Sequence, residues 1–123
     1  MNRRAVVIAG VLSLVPIRAF AHGPKRGKNG GPQVDAGSYH IEIVSRGTLL
    51  QVYMRDHSDK AVSTEGFKGT AILVINGKAE RITLIPAGEN QLSGTSSTYL
   101  PAEPKGAVQI TSPAGSTVQA KFN

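Results

Sequence analysis

The stretch Thr70-Ala71-Ile72-Leu73-Val74-Ile75-Asn76-Gly77-Lys78-Ala79-Glu80-Arg81-Ile82-Thr83-Leu84-Ile85 decides the fold. Its first six residues are nearly all apolar and rich in β-branched side chains, as expected of a central strand packed on both faces. Asn76-Gly77 then supplies the two residues that most readily adopt positive φ side by side, which is what a two-residue type I′ hairpin turn requires. Lys78–Ile85 reads as the return strand, and Pro86-Ala87-Gly88-Glu89-Asn90 ends it. One antiparallel hairpin is therefore written into a single stretch of residues.

The same period of two appears on both sides of it. Tyr39-His40-Ile41-Glu42-Ile43-Val44 alternates, with Ile41 and Ile43 on one face and His40 and Glu42 on the other. Ser45-Arg46-Gly47-Thr48 reads as a turn, and Leu49–Arg55 returns with Leu50, Val52 and Met54 facing inward. Asp56-His57-Ser58-Asp59-Lys60 is a polar loop. Towards the C-terminus, Gln91–Leu100 holds a short edge strand stopped by Pro101 and Pro104. A last hairpin pairs Ala107–Thr111 with Thr117–Phe122 around Ser112-Pro113-Ala114-Gly115. Six or seven short strands, frequent turn signals and no helix predict an all-β domain. The expected form is an immunoglobulin-like antiparallel β-sandwich of about seven strands, with a small β-barrel as the alternative.

The N-terminal end has a different character. Met1-Asn2-Arg3-Arg4 is a short basic start, Ala5–Ile17 is an apolar run of 13 residues, and Ala19-Phe20-Ala21 has the small-x-small form that signal peptidase accepts. Thirteen residues are too few to cross a bilayer, which takes about 20. Residues 1–21 are thus expected to be a cleaved signal peptide, and the rest a periplasmic or secreted protein without stable membrane insertion. Residues 22–33, with Gly23, Gly27, Gly30, Gly31, Pro24 and Pro32, are expected to form a flexible Gly/Pro/basic arm. The β domain then covers residues 34–123.

Export changes the charge. Arg3, Arg4 and Arg18 leave with the signal, which lowers the formal charge from +6 to +3. Lys25, Arg26 and Lys28 account for that remainder, and the domain beyond Pro32 is balanced. Nucleic acid is therefore not an expected partner. The absence of cysteine excludes disulfides, thiolate metal sites and a Cys nucleophile. Neither G-x-S-x-G, S-x-x-K nor a phosphate-binding glycine loop occurs, and no enzymatic role is expected.

Metal binding is the chemistry that the residues support. Its candidate ligands are His22, His40 and His57, with Glu42, Met54, Asp56 and Asp59 as further donors. Cleavage after Ala21 would make His22 the first residue, so that its amine and imidazole chelate one Cu(II), which favours nitrogen donors in a planar arrangement. Pairing Ile43 with Leu50 and Ile41 with Val52 sets His40 opposite Tyr53. His57 then lies four residues further on, roughly 13 Å along a straight strand. Met54 shares the parity of Leu50 and Val52 and reads as core.

The residues Gly30-Gly31, Tyr39–Val44, Val52-Tyr53-Met54-Arg55-Asp56, Gly69, Leu84-Ile85-Pro86 and Asn90-Gln91-Leu92-Ser93-Gly94 together form a pattern. Over about residues 29–122 it resembles small exported proteobacterial β-domain proteins, and is similar to a periplasmic domain of heavy-metal efflux adaptor subunits. Such relatives often carry a His-rich tail and a His-Gly-Gly at the start of the domain. Here the tail has His22 alone, and Asn29 stands at the position of the second histidine. The resemblance implies a role for His40, with Glu42 beside it, in handling copper or another heavy metal, and an envelope or efflux-system protein as partner. The competing expectation is an envelope protein-interaction module without metal.

Overall fold

The computed structural model describes residues 25–123. Eight strands follow one another along the chain. They are β1 (Gln33–Ala36), β2 (Tyr39–Arg46), β3 (Leu49–Asp56), β4 (Lys68–Ile75), β5 (Lys78–Pro86), β6 (Gln91–Thr95), β7 (Lys105–Thr111) and β8 (Thr117–Phe122). Among the described residues there is no helix. All neighbours are antiparallel in the order β1-β2-β3-β6-β5-β4-β7-β8, and β1 lies alongside β8, so one sheet rolls into a nearly closed barrel. The all-β antiparallel class is as expected, in the arrangement of a rolled single sheet.

Period-two alternation builds the interior. Ile41 and Ile43, Leu50, Val52 and Met54, Ala71, Leu73 and Ile75, Ile82 and Leu84, Leu92, Val108 and Ile110, and Ala120 and Phe122 all point inside and are buried. Full burial of an aliphatic side chain of this size stabilises by about 1.5–3 kcal/mol, so this shared interior carries the fold without disulfides. The loop before β4 closes one end. There Phe67 meets Tyr39 edge-on at 6.1 Å, and the buried Thr64 hydroxyl donates to the carbonyl of Gly88 or Gln91 at 3.1 Å.

The turn at Asn76-Gly77 has φ of 52° and 79°, the paired positive values that its sequence predicts. Four details differ from expectation. First, β4 is apolar on both faces but packs on one: Ala71, Leu73 and Ile75 are inside, whereas Val74 is 53% exposed. Second, β6 is no edge strand; it sits between β3 and β5. Third, Gln33–Ala36 forms an additional strand, because Gly37-Ser38 is itself a tight turn with Gly37 at φ 58°. Fourth, the β2–β3 ladder runs on to Arg46 opposite Leu49, leaving only Gly47 and Thr48 in the turn. That shifts the pairing by two residues, so Ile43 faces Val52, Ile41 faces Met54 and His40 faces Arg55. A shift of two preserves which side chains are buried, which is why the inner face is unchanged.

Gly94 marks the corner where the sheet turns over. β5 pairs with β4 from Lys78 to Leu84, and only Ile85 and Pro86 reach β6. A β-carbon on Gly94 would stand 2.1 Å from the Thr83 carbonyl oxygen and 2.7 Å from Ile82 Cγ2. Backbone therefore occupies the place of a side chain. We expect Gly94→Ala to destabilise the domain by about 1–3 kcal/mol through overpacking, read as a lowered urea midpoint with an unchanged slope.

Candidate metal centre

The outer face of β1, β2 and β3 carries polar side chains in rows. Opposite residues of an antiparallel pair project to the same side, so the register aligns Asp35, His40 and Arg55 in one row and Gln33, Glu42 and Tyr53 in the next. This face is where the sequence expects His40 and Glu42, but only His40 keeps a solvent edge. Glu42 is fully buried.

What buries Glu42 is the glycine-rich stretch before β1. Where composition suggests a flexible arm, residues 25–32 form a tight turn on the sheet. Gly27 N donates to Gly31 O at 2.8 Å, Gln33 N to Lys25 O at 3.0 Å, and Ile43 N to Pro32 O at 3.0 Å. The turn delivers backbone donors to the carboxylate: Asn29 N at 2.9 Å and Gly31 N at 2.8 Å reach Glu42 Oε2, and Asn29 Nδ2 reaches Oε1 at 3.1 Å. Glycine is required at this distance. A β-carbon on Gly27 would lie 2.2 Å from Glu42 Cδ, and one on Gly31 would lie 1.9 Å from the Ile43 carbonyl oxygen.

Arg55, also buried, completes the network. Its Nη1 lies 3.4 Å from Glu42 Oε1, its Nε donates to Asp59 Oδ1 at 2.8 Å, and its Nη2 donates to Gln33 Oε1. Lys28 Nζ reaches Asp59 Oδ2 at 3.3 Å from the other side. The hydrogen bond from Arg55, followed by that from Lys28, holds the Asp59 carboxyl below its ordinary value of 3.8. Asp56 caps the same turn by accepting from Ser58 N and Lys60 N, both at 2.9 Å. Glu42, Asp56 and Asp59 are thus committed to structure, and Met54 is core as expected.

His40 and His57 come together instead. With His40 opposite Arg55, His57 is its diagonal neighbour just beyond the end of β3, and the ring centroids are 4.9 Å apart at 89°. The expected separation of roughly 13 Å followed from the four-residue turn that the structure replaces with two. Asp35 joins them, so that one ligand atom from each of Asp35, His40 and His57 lies within 4.8 Å of the others. Asp35 escaped the sequence reading because β1 did. The signal available was the Gly37-Ser38 pair, which as a two-residue turn puts Asp35 directly across from His40. His22 lies outside the described residues.

The hydrogen bonds select the free ring nitrogens. His40 Nδ1 is hydrogen-bonded to Asp35 Oδ1 at 2.6 Å, which leaves Nε2 as its unengaged ring nitrogen. His57 Nε2–H donates to the Gly37 carbonyl at 3.0 Å, which leaves Nδ1. The bond from His40 also holds the Asp35 carboxyl below its ordinary value of 3.8. A carboxylate behind a ligating imidazole is the common arrangement for fixing its tautomer and raising its basicity. Donors around one zinc or copper ion lie at most about 4 Å apart, close to the 4.8 Å within which these three side chains offer ligand atoms. Two imidazole nitrogens suit a borderline transition metal and leave coordination positions for water.

Removal of Glu42 would leave Arg55 buried with an incomplete set of partners. We expect Glu42→Ala to cost roughly 3–5 kcal/mol, measured by denaturant unfolding. Acid should act through the depressed carboxyls. Their folded values lie below their unfolded ones, so the stability they contribute is present above about pH 4 and lost as pH falls through the folded value. Asp59→Asn should flatten that acid limb when urea midpoints are compared at pH 7 and pH 3. No protein-family model, curated protein or solved structure matches this chain, so its function has to be read from the chemistry of this face.

Proposed function

We propose that this chain is an exported, non-enzymatic protein whose β-barrel domain binds a borderline transition-metal ion, Cu(II) foremost, through His40 and His57, with Asp35 hydrogen-bonded behind His40. The observation that carries the reading is the convergence of these three side chains at the open end of the β1–β2–β3 face. The signal-like segment at residues 1–21 supports a periplasmic or secreted location, and with it a role in copper or heavy-metal homeostasis or efflux. Cu(II) is favoured over zinc by the general order of affinities at nitrogen and oxygen donors. His22, freed by cleavage after Ala21, would supply a second and separate Cu(II) chelate.

The site has features of one that binds reversibly. Asp35 and His57 are exposed, two protein donors leave open positions, and Lys25 adds positive charge close to Asp35. Such a site exchanges its ion with a partner more readily than a closed four-ligand structural site does.

Isothermal titration with Cu(II) and Zn(II) tests the assignment. His40→Ala and His57→Ala should each weaken binding at least tenfold, and Asp35→Asn should weaken it by roughly 10- to 100-fold. Binding should also weaken as pH falls, because protons compete for the ligands. An extra residue placed before His22 should abolish only the second Cu(II) event. Affinities that all three substitutions leave unchanged would remove the site. The interaction-module reading would then take precedence, with exposed Val74, Ile85 and Tyr99 as its apolar contacts.

A further inference from the structure

The barrel does not close evenly. β1 and β8 face each other without a shared ladder among the described residues. At one end they nearly touch: a β-carbon on Gly37 would lie 2.7 Å from Val118 Cγ1. At the other end they part around a cleft of about 210 Å³. Val34, Pro32, Pro104 and Phe122 form its apolar lining, and Lys25 and Lys105 stand among the polar residues at its rim.

We propose that this cleft binds a small organic anion with an apolar body, of the size and charge of benzoate. Size is the first argument. An apolar cavity of roughly 150 Å³ accommodates benzene, so 210 Å³ holds one ring and a carboxylate. Shape is the second, since Phe122 is almost fully buried yet lines the cleft, and offers a ring against which a flat ligand can pack.

Charge is the third argument. Lys25 and Lys105 make no ion pair among the described residues, whereas Glu103, the acidic side chain in the lining, is engaged by Arg26. The rim therefore has two ammonium groups without an ion pair among the described residues, Lys25 within the field of Asp35 and Lys105 clear of it, beside a carboxylate engaged by Arg26 and the polar Gln33 and Asn123. A neutral ligand of the same shape would gain the apolar contacts without the electrostatic ones. Neither His40 nor His57 lines the cleft, so the metal ligands take no part in it.

Sodium benzoate titrated into the 15N-labelled protein tests this, with benzyl alcohol as the uncharged probe. Saturable amide shifts should be confined to Val34, Lys105, Phe122 and their neighbours. Benzyl alcohol should bind about two- to fivefold more weakly, the worth of one exposed ion pair. Lys105→Glu should weaken benzoate by a similar factor or more and leave benzyl alcohol unaffected. Lys105 is exposed and makes no side-chain hydrogen bond, and Lys105→Gln serves as the milder variant should the reversal perturb the fold. Benzoate shifts that fail to saturate, spread over the surface, or match benzyl alcohol in affinity would overturn the proposal.

Discussion

The ladder between β2 and β3 closes through two residues, Gly47 and Thr48, and the outer face of the hairpin is set by that turn. Gly47 takes φ of 64° and lets the chain reverse at once, so Arg46 pairs directly with Leu49. Every rung above is then fixed. His40 stands across from Arg55, Glu42 sits one row away, and His57 emerges next to His40 as the strand ends. A turn longer by two residues would bury the same core side chains and dissolve the outer arrangement, because strand parity protects the inner face alone.

The buried Glu42–Arg55 pair is the costly element of that arrangement. Desolvating two charges is unfavourable by several kcal/mol per ion, and their mutual attraction at 3.4 Å does not by itself offset it. The remaining donors make the difference. Two backbone amides and the Asn29 side chain complete Glu42, while Asp59 and Gln33 complete Arg55. Most of these partners come from segments that would otherwise have no reason to order. The network thus turns a polar, glycine-rich stretch into part of the fold and ties the Asp59 turn to the same sheet. His40 and His57 lie beside this network on the same three strands.

Much of this was legible in the sequence, and the limits have physical causes. Seven of the eight strands, the Asn76-Gly77 turn and the inward residues Ile41, Ile43, Leu50, Val52 and Met54 follow from alternation and turn chemistry, which are local properties. What was hidden depends on pairing across distance. Gln33–Ala36 is too short and too polar to announce itself as a strand, and with it went Asp35. Glu42 looks like a solvent-facing residue because nothing local says that Asn29 and Gly31 will fold over it. His40 and His57 were recognisable as donors by type, but their proximity turned on whether two or four residues formed one hairpin loop.

β1 is the point where these lines of argument meet. Four residues long and hydrogen-bonded into a ladder on one side only, it contributes little burial beyond Ala36. Its value lies in position. Asp35 leans on His40 across one edge, and Val34 faces the seam with β8 along the other. A regular ladder would need the two backbones about 4.8 Å apart along their whole length. The absence of a side chain at Gly37 permits close approach at one end, while the bulk of Phe122 lines the open cleft at the other. A short edge strand that is pinned by a buried ionic network, rather than by its own burial, keeps one flank exposed for a ligand. The strength that holds it comes from Glu42 and Arg55, and the freedom to carry Asp35 and Val34 comes from what that network leaves uncovered.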